Sequence, residues 1–169
     1  MSSINRQPGK RKSKKEMPEA IPRKPYVQRD RRYVAEFVDQ NYPHDRVFFN
    51  LRLGPAPIAM AEAYPGLNVD RYARVWKKTC DAVVVTADEV VLIEGELRRP
   101  LLALGELISY RDLLSQTPEL KAYAGKAVRS ILLCPLTDPT LELQLKEHNI
   151  QAVVFRPKWV EEYLKEVNR

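Results

Sequence analysis

CDAVVVTADEVVLIEGELRRP, residues 80–100, decides the fold. Two apolar runs, AVVV and VVLI, flank Thr86, Ala87, Asp88 and Glu89, which predicts a β-hairpin. Because the runs are nearly continuous rather than alternating, both strands should be covered on both faces. Asp81 opens the first strand and Glu94 lies near the end of the second. With the turn at 87–88 the two acids come opposite each other, within reach of one cation. Glu94, Glu96 and Arg98 stand at alternate positions, so a strand continuing through them would point all three one way. Arg98 would then be the internal counterion of the carboxylates, which otherwise repel.

Working outward, DRRYVAEFVDQNY (30–42) carries Tyr33, Val34, Phe37 and Val38 at helical spacing, with Asp30 as N-cap and Pro43 as the stop. RVFFNLRLG (46–54) reads as a strand. PIAMAEAYPG (57–66) reads as a short helix, and LNVDRYARVWKK (67–78) as either a helix or an irregular lead-in. Pro100 suits the first turn of a helix, LLALGELISYRDLLSQ, with an apolar stripe through Leu101, Leu104, Ile108 and Leu114. AVRSILLCP is a strand, LELQLKEHN a helix ending at Asn149, IQAVVFRP a last strand and KWVEEYLKEVN a terminal helix. The order predicts an α/β fold with a mixed central sheet flanked by helices.

The chain has 169 residues, enough for one domain with a real core. No apolar run reaches the roughly 18 residues of a membrane span and no signal-peptide pattern appears, so a cytoplasmic, membrane-free protein is expected. Cys80 and Cys134 each border an apolar run and read as buried thiols rather than a disulfide or metal pair. The net charge of +6 is unevenly placed. Residues 1–32 hold eleven Lys/Arg against three acids, a balance of +8, and residues 33–169 hold seventeen against nineteen, a balance of −2. Residues 1–28 are therefore expected to be a basic, disordered arm, and 29–169 the folded domain. Lys10, Arg11, Lys12, Lys14 and Lys15 could neutralise phosphates with release of counterions, or act as a solubilising tail or an import signal. Lys77 and Lys78, after Arg74, form a second basic run that either meets a phosphate backbone or faces solvent. Tyr72, Trp76 and Tyr110 could stack on bases but suit packing better. His44 and His148 are isolated, and no phosphate-binding Gly loop or Cys/His zinc spacing is present.

Asp81, then IEGEL at 93–97, then ALGELISY at 103–110 resemble the PD-(D/E)XK nuclease superfamily, especially its RecB-like branch. The element order agrees from about residue 30 to 155, but the specific motifs are confined to 81–110. The resemblance implies a restriction-endonuclease-like core in which Asp81 and Glu94 bind Mg²⁺ or Mn²⁺, with the Gly95 carbonyl as a possible further ligand. It matches Glu106 and Tyr110 to the family's Q-x-x-x-Y motif, implies that they position the nucleic acid, and suggests Glu36 as an acid from the first helix. The chain departs from the family where Glu96 replaces its lysine and Glu106 its glutamine.

Glu96 cannot donate a lysine's charge. It could serve as a third metal ligand or general base, with Arg98 supplying the missing cation. The expected function is then metal-dependent hydrolysis of DNA phosphodiester bonds, with Asp81, Glu94, Glu96 and Arg98 as the catalytic set. The alternative is a catalytically degenerate nuclease fold acting as an assembly component, for example of a phage particle. In that case the arm would engage nucleic acid or neighbouring subunits of a homo-oligomer or multisubunit particle, and the location would be the virion.

Overall fold

The computed structural model describes residues 29–55, 65–66 and 78–167. The basic arm, the helix expected at 57–66 apart from its Pro65–Gly66 turn, the segment 67–77 with Lys77, and the last two residues lie outside the described residues. The elements are α1 (Arg29–Asn41), β1 (Arg46–Leu53), β2 (Lys78–Val85), β3 (Glu89–Gly95), α2 (Pro100–Leu114), a 3₁₀ helix (Pro118–Tyr123), β4 (Ala127–Cys134), α3 (Pro139–Glu147), β5 (Ile150–Val154) and α4 (Lys158–Val167). The five strands form one sheet in the order β1-β2-β3-β4-β5. β1, β2 and β3 pair antiparallel, and β3, β4 and β5 pair parallel. This is the mixed α/β sheet flanked by helices that the apolar pattern predicts.

Both faces of the sheet are covered, which explains the continuous apolar runs of β2 and β3. Val83, Val90, Leu92 and Leu132 pack under α2 and α3 with Ala103, Leu107, Leu141 and Leu145. Ala82, Val84, Val91, Ile93 and Ile131 pack under α1 and α4 with Tyr33, Val34, Phe37 and Val160. The Tyr33 hydroxyl donates to the Phe155 carbonyl at 2.6 Å, so the buried phenol holds α1 to the far end of β5 with no donor left unpaired. Cys80 and Cys134 are free, buried thiols. Among the described residues no helix is long and apolar enough to cross a membrane.

Element ends follow their local chemistry. Asp138 caps α3, accepting from the Thr140 and Leu141 N–H groups, with Pro139 in the first turn. Gly54 ends β1 at φ 79°, a conformation that favours glycine, and its N–H donates to the buried Thr117 hydroxyl at 2.9 Å. Some expectations are corrected. Asp30 lies in the first turn of α1 rather than at its N-cap. The buried stripe of α2 runs through Ala103, Leu107 and Tyr110, whereas Leu101 is 56% exposed. The 3₁₀ helix between α2 and β4 has no counterpart in the sequence reading.

Candidate functional site

The β2–β3 register runs Val85↔Val90 to Ala82↔Ile93, and its next rung sets Asp81 against Glu94. The ladder changes there. The Asp81 N–H donates to Glu94 Oε2 at 3.2 Å, and the Gly95 N–H donates to Asp81 Oδ2 at 3.1 Å. Each strand's backbone is thus satisfied by the other strand's carboxylate. β1 and β2 keep one register across this position, from Phe49↔Ala82 to Leu51↔Cys80, yet both lose their alternation there. Cys80 and Val83 reach the same core although three residues apart, and so do Leu51 and Phe48. Between Leu51 and Phe48, Asn50 takes φ 52°. The two strands turn in step here, with no residue inserted in either.

Gly95 lets α1 close over this end. A Cβ there would come 2.3 Å from Val34 Cγ2 and 3.7 Å from Asp81 Oδ2. That approach brings the first turn of α1 to the acids. Burial raises the Asp81 carboxyl above the ordinary range; the Gly95 N–H works against that, while the charges of Asp30 and Glu106 add to it and Arg31 offsets them in part. Glu94, 8% exposed, is raised by burial first, then by the charge of Asp81, and further by Glu106, whose side chain lies within hydrogen-bonding reach. Asp30 is raised by its surroundings and by Glu96. The buried Glu94 and the half-buried Asp81 thus face each other at the open end of the hairpin, with the like charges of Asp30 and Glu106 acting on them.

Several sequence-based assignments change. β3 ends at Gly95, so Glu94, Glu96 and Arg98 do not share one strand face. Glu96 Oε1 instead accepts the Arg98 and Arg99 N–H groups at 2.9 and 3.0 Å, fastening the turn into α2. Arg98 is exposed, and among the described residues no ion pair joins it to Glu94 or Glu96, so it is not their counterion. Asp30, not Glu36, is the α1 acid at the site; Glu36 accepts the Trp159 indole N–H at 2.7 Å on the other side of the helix. Sequence spacing could not distinguish them without the rotation of α1, which Gly95 and Val34 set. Tyr110 is 1% exposed and donates its hydroxyl to the Thr79 carbonyl at 2.8 Å, so it braces β2 instead of stacking on a base. Lys78, at the start of β2, is exposed. Lys10, Arg11, Lys12, Lys14 and Lys15 lie outside the described residues.

Among the described residues no three His, Cys, Asp or Glu side chains gather closely enough to form a metal-binding group, which removes the set Asp81–Glu94–Glu96. The pair Asp81 and Glu94 fits a less enclosed site. Mg²⁺ and Mn²⁺ take hard oxygen donors, and Mg²⁺ is commonly held by one or two carboxylates with the remaining positions left to water and phosphate. Asp81 Oδ1 and Glu94 Oε1 are unclaimed by the backbone among the described residues.

No family model and no curated protein matches the chain. Among solved structures, it is similar to a repair endonuclease from Pyrococcus abyssi, at 15% identity and a TM-score of 0.46, over 81% of this chain and 50% of that one. It is also similar to EndoMS in a structure with double-stranded DNA, at 19% identity and a TM-score of 0.44, over 84% of this chain and 49% of that one. The chain spans about half the length of these structures.

Proposed function

We propose that this domain is a divalent-cation-dependent nuclease acting on DNA, with Asp81 and Glu94 as the residues that would hold Mg²⁺ or Mn²⁺. The observation that carries this reading is the reciprocal rung. The buried Glu94 carboxylate accepts from the Asp81 N–H, the half-buried Asp81 carboxylate accepts from the Gly95 N–H, and neither has a paired cation among the described residues. The motif resemblance at 81–110 points the same way. A divalent ion between them would neutralise their repulsion, polarise a phosphate and ease the loss of a proton from water.

The chain's own residues have separable tasks. The Gly95 and Asp81 N–H groups fix the two carboxylates, so little side-chain freedom is lost when a cation enters. The charge of Glu106 beside Asp81 and Glu94 adds to the repulsion that a bound cation would relieve. Arg31 is the cation whose field reaches Asp81, and it replaces Arg98 as the candidate for screening charge on a bound phosphate. Lys78 and the arm residues Lys10–Lys15 would hold the DNA backbone by charge alone.

One observation favours a second reading, in which the fold binds without cutting. Glu96 Oε1 is fastened to the Arg98 and Arg99 N–H groups, so the position where the resemblance expects a lysine offers no positive charge. The test is cleavage of single- and double-stranded DNA with Mn²⁺ or Mg²⁺, using wild type and Asp81→Asn. We expect cleavage that Asp81→Asn lowers by at least about 10²-fold, since the site would lose an anionic ligand. No cleavage of any DNA, with Mn²⁺ failing to raise the melting temperature, sinks the nuclease reading. Mn²⁺ stabilisation without cleavage leaves the binding scaffold.

A further inference from the structure

The opposite end of β3 carries a second site of different chemistry. Val90 begins the apolar part of β3 and Glu94 ends it, so the two regions lie roughly 13 Å apart along the strand at about 3.3 Å per residue. At Val90 a cavity of about 310 Å³ opens between the C-terminal turn of α2, the 3₁₀ helix and the start of β4. Val90, Leu114, Leu120 and Val128 form its apolar wall, with the half-buried ring of Tyr123 beside them. Its charged lining is entirely positive: Arg111, Lys121 and Lys126.

Among the described residues these cations pair with no carboxylate. Arg111 Nη2 donates to the His148 carbonyl, while its buried Nε has no partner. Lys126 Nζ donates to the Thr86 carbonyl at 3.0 Å and also to that of Ala87. An ammonium has three donors, so the third is left to point elsewhere. Lys121 is exposed at the rim. Arg46 lies 5.9 Å from the Tyr123 ring centre and adds to the positive field. Among the described residues none of these four makes an ion pair. Carbonyls fix two of the cations in place without neutralising them. The result is a preorganised anion site attached to an apolar pocket.

We propose that this pocket binds a small organic phosphate with a flat apolar body, of mononucleotide size. A phosphate monoester carries about −1.5 to −2 charge at pH 7, which matches several converging cations better than a single carboxylate does. The volume falls at the lower end of the roughly 300–1,000 Å³ typical of small-molecule sites. Tyr123 and the aliphatic wall offer the ring a stacking and burial surface. The proposal does not depend on the acidic end being a nuclease site.

The experiment is calorimetric or NMR titration of the full chain with dAMP, deoxyadenosine and inorganic phosphate, repeated on Arg111→Met and Lys121→Met. dAMP should bind more tightly than either of its parts, and each variant should weaken it by about tenfold, the effect of one charged hydrogen bond. Lys121 is exposed, so its variant reads the site even if Arg111→Met loosens the end of α2. Binding of dAMP no tighter than inorganic phosphate, or unchanged in Lys121→Met, overturns the proposal. Either result would show only diffuse charge attraction. Absence of dAMP binding overturns it as well.

Discussion

The two ends of the β2–β3 hairpin treat charge in opposite ways. At the turn, the Thr86 hydroxyl accepts from the Glu89 N–H at 3.1 Å, and Glu89 Oε1 accepts from Arg129 Nε and Nη2 at 3.0 and 2.6 Å. At the open end, Asp81 and Glu94 are brought together with only backbone N–H groups to hold them, and Asp30 and Glu106 add like charge. Both ends belong to one hairpin in one register, so topology does not explain the difference. The turn end is built for stability. The open end sacrifices stability, which is what a site awaiting a cation does and what a purely structural strand end avoids.

The largest effect should come from the packing that creates the open end. Gly95→Ala would set a methyl 2.3 Å from Val34 Cγ2, in backbone-to-core packing that has little room to give. Overpacking of this kind costs about 1–3 kcal/mol, and displacement of α1 would also carry Asp30 and Arg31 away from Asp81. Chemical denaturation should show the lost stability, and Mn²⁺ should stabilise the variant less than wild type. A neutral Gly95→Ala would mean that α1 is not seated on β3 as described, and the acidic end would lose its third wall.

The next test separates charge from packing. Glu94→Gln keeps an oxygen for the Asp81 N–H and stays neutral without taking up a proton, so it should raise stability at pH 7 by on the order of 1–2 kcal/mol. The sign follows from the raised carboxyls. The folded state keeps protons that the unfolded chain releases near pH 4, so wild-type stability should fall as pH rises from there and level off once both groups have ionised in the fold. The variant should flatten that decline, and Mn²⁺ should flatten it in wild type by binding the ionised pair. A decline of equal steepness in Glu94→Gln would place the proton uptake elsewhere.

How much of this the sequence carried depends on the kind of information. The rung of Asp81 and Glu94 was legible because two apolar runs flank a short polar turn, and the pairing of a hairpin then follows by counting. The sheet and its helices were legible through the same periodicity. The acid from α1 was not, because Asp30 and Glu36 lie on one short helix and only the approach of Val34 to Gly95 chooses between them. Glu96 was misread because alternation was extended past Gly95, where the chain has already left the strand to prepare for Pro100. Tyr110 suited packing by its residue type and nucleic-acid contact only by the resemblance, and its burial decides for packing. The basic pocket had no signal, since Arg111, Lys121 and Lys126 converge only through the 3₁₀ helix that the pattern did not predict.

The smallest effect belongs to the turn end and gives the comparison its control. Glu89→Gln removes the charge that Arg129 faces while leaving an oxygen to accept its hydrogen bonds. The two side chains are 26% and 37% exposed, so water and salt already screen the pair. The loss should be about 0.5–1 kcal/mol and should shrink in high salt. Glutamate to glutamine would then destabilise at residue 89 and stabilise at residue 94, five positions along one strand. Opposite signs from the same chemical change would show that the two ends differ in electrostatics and not in helical cover or strand pairing. Equal signs would remove the reason for reading the open end as a site.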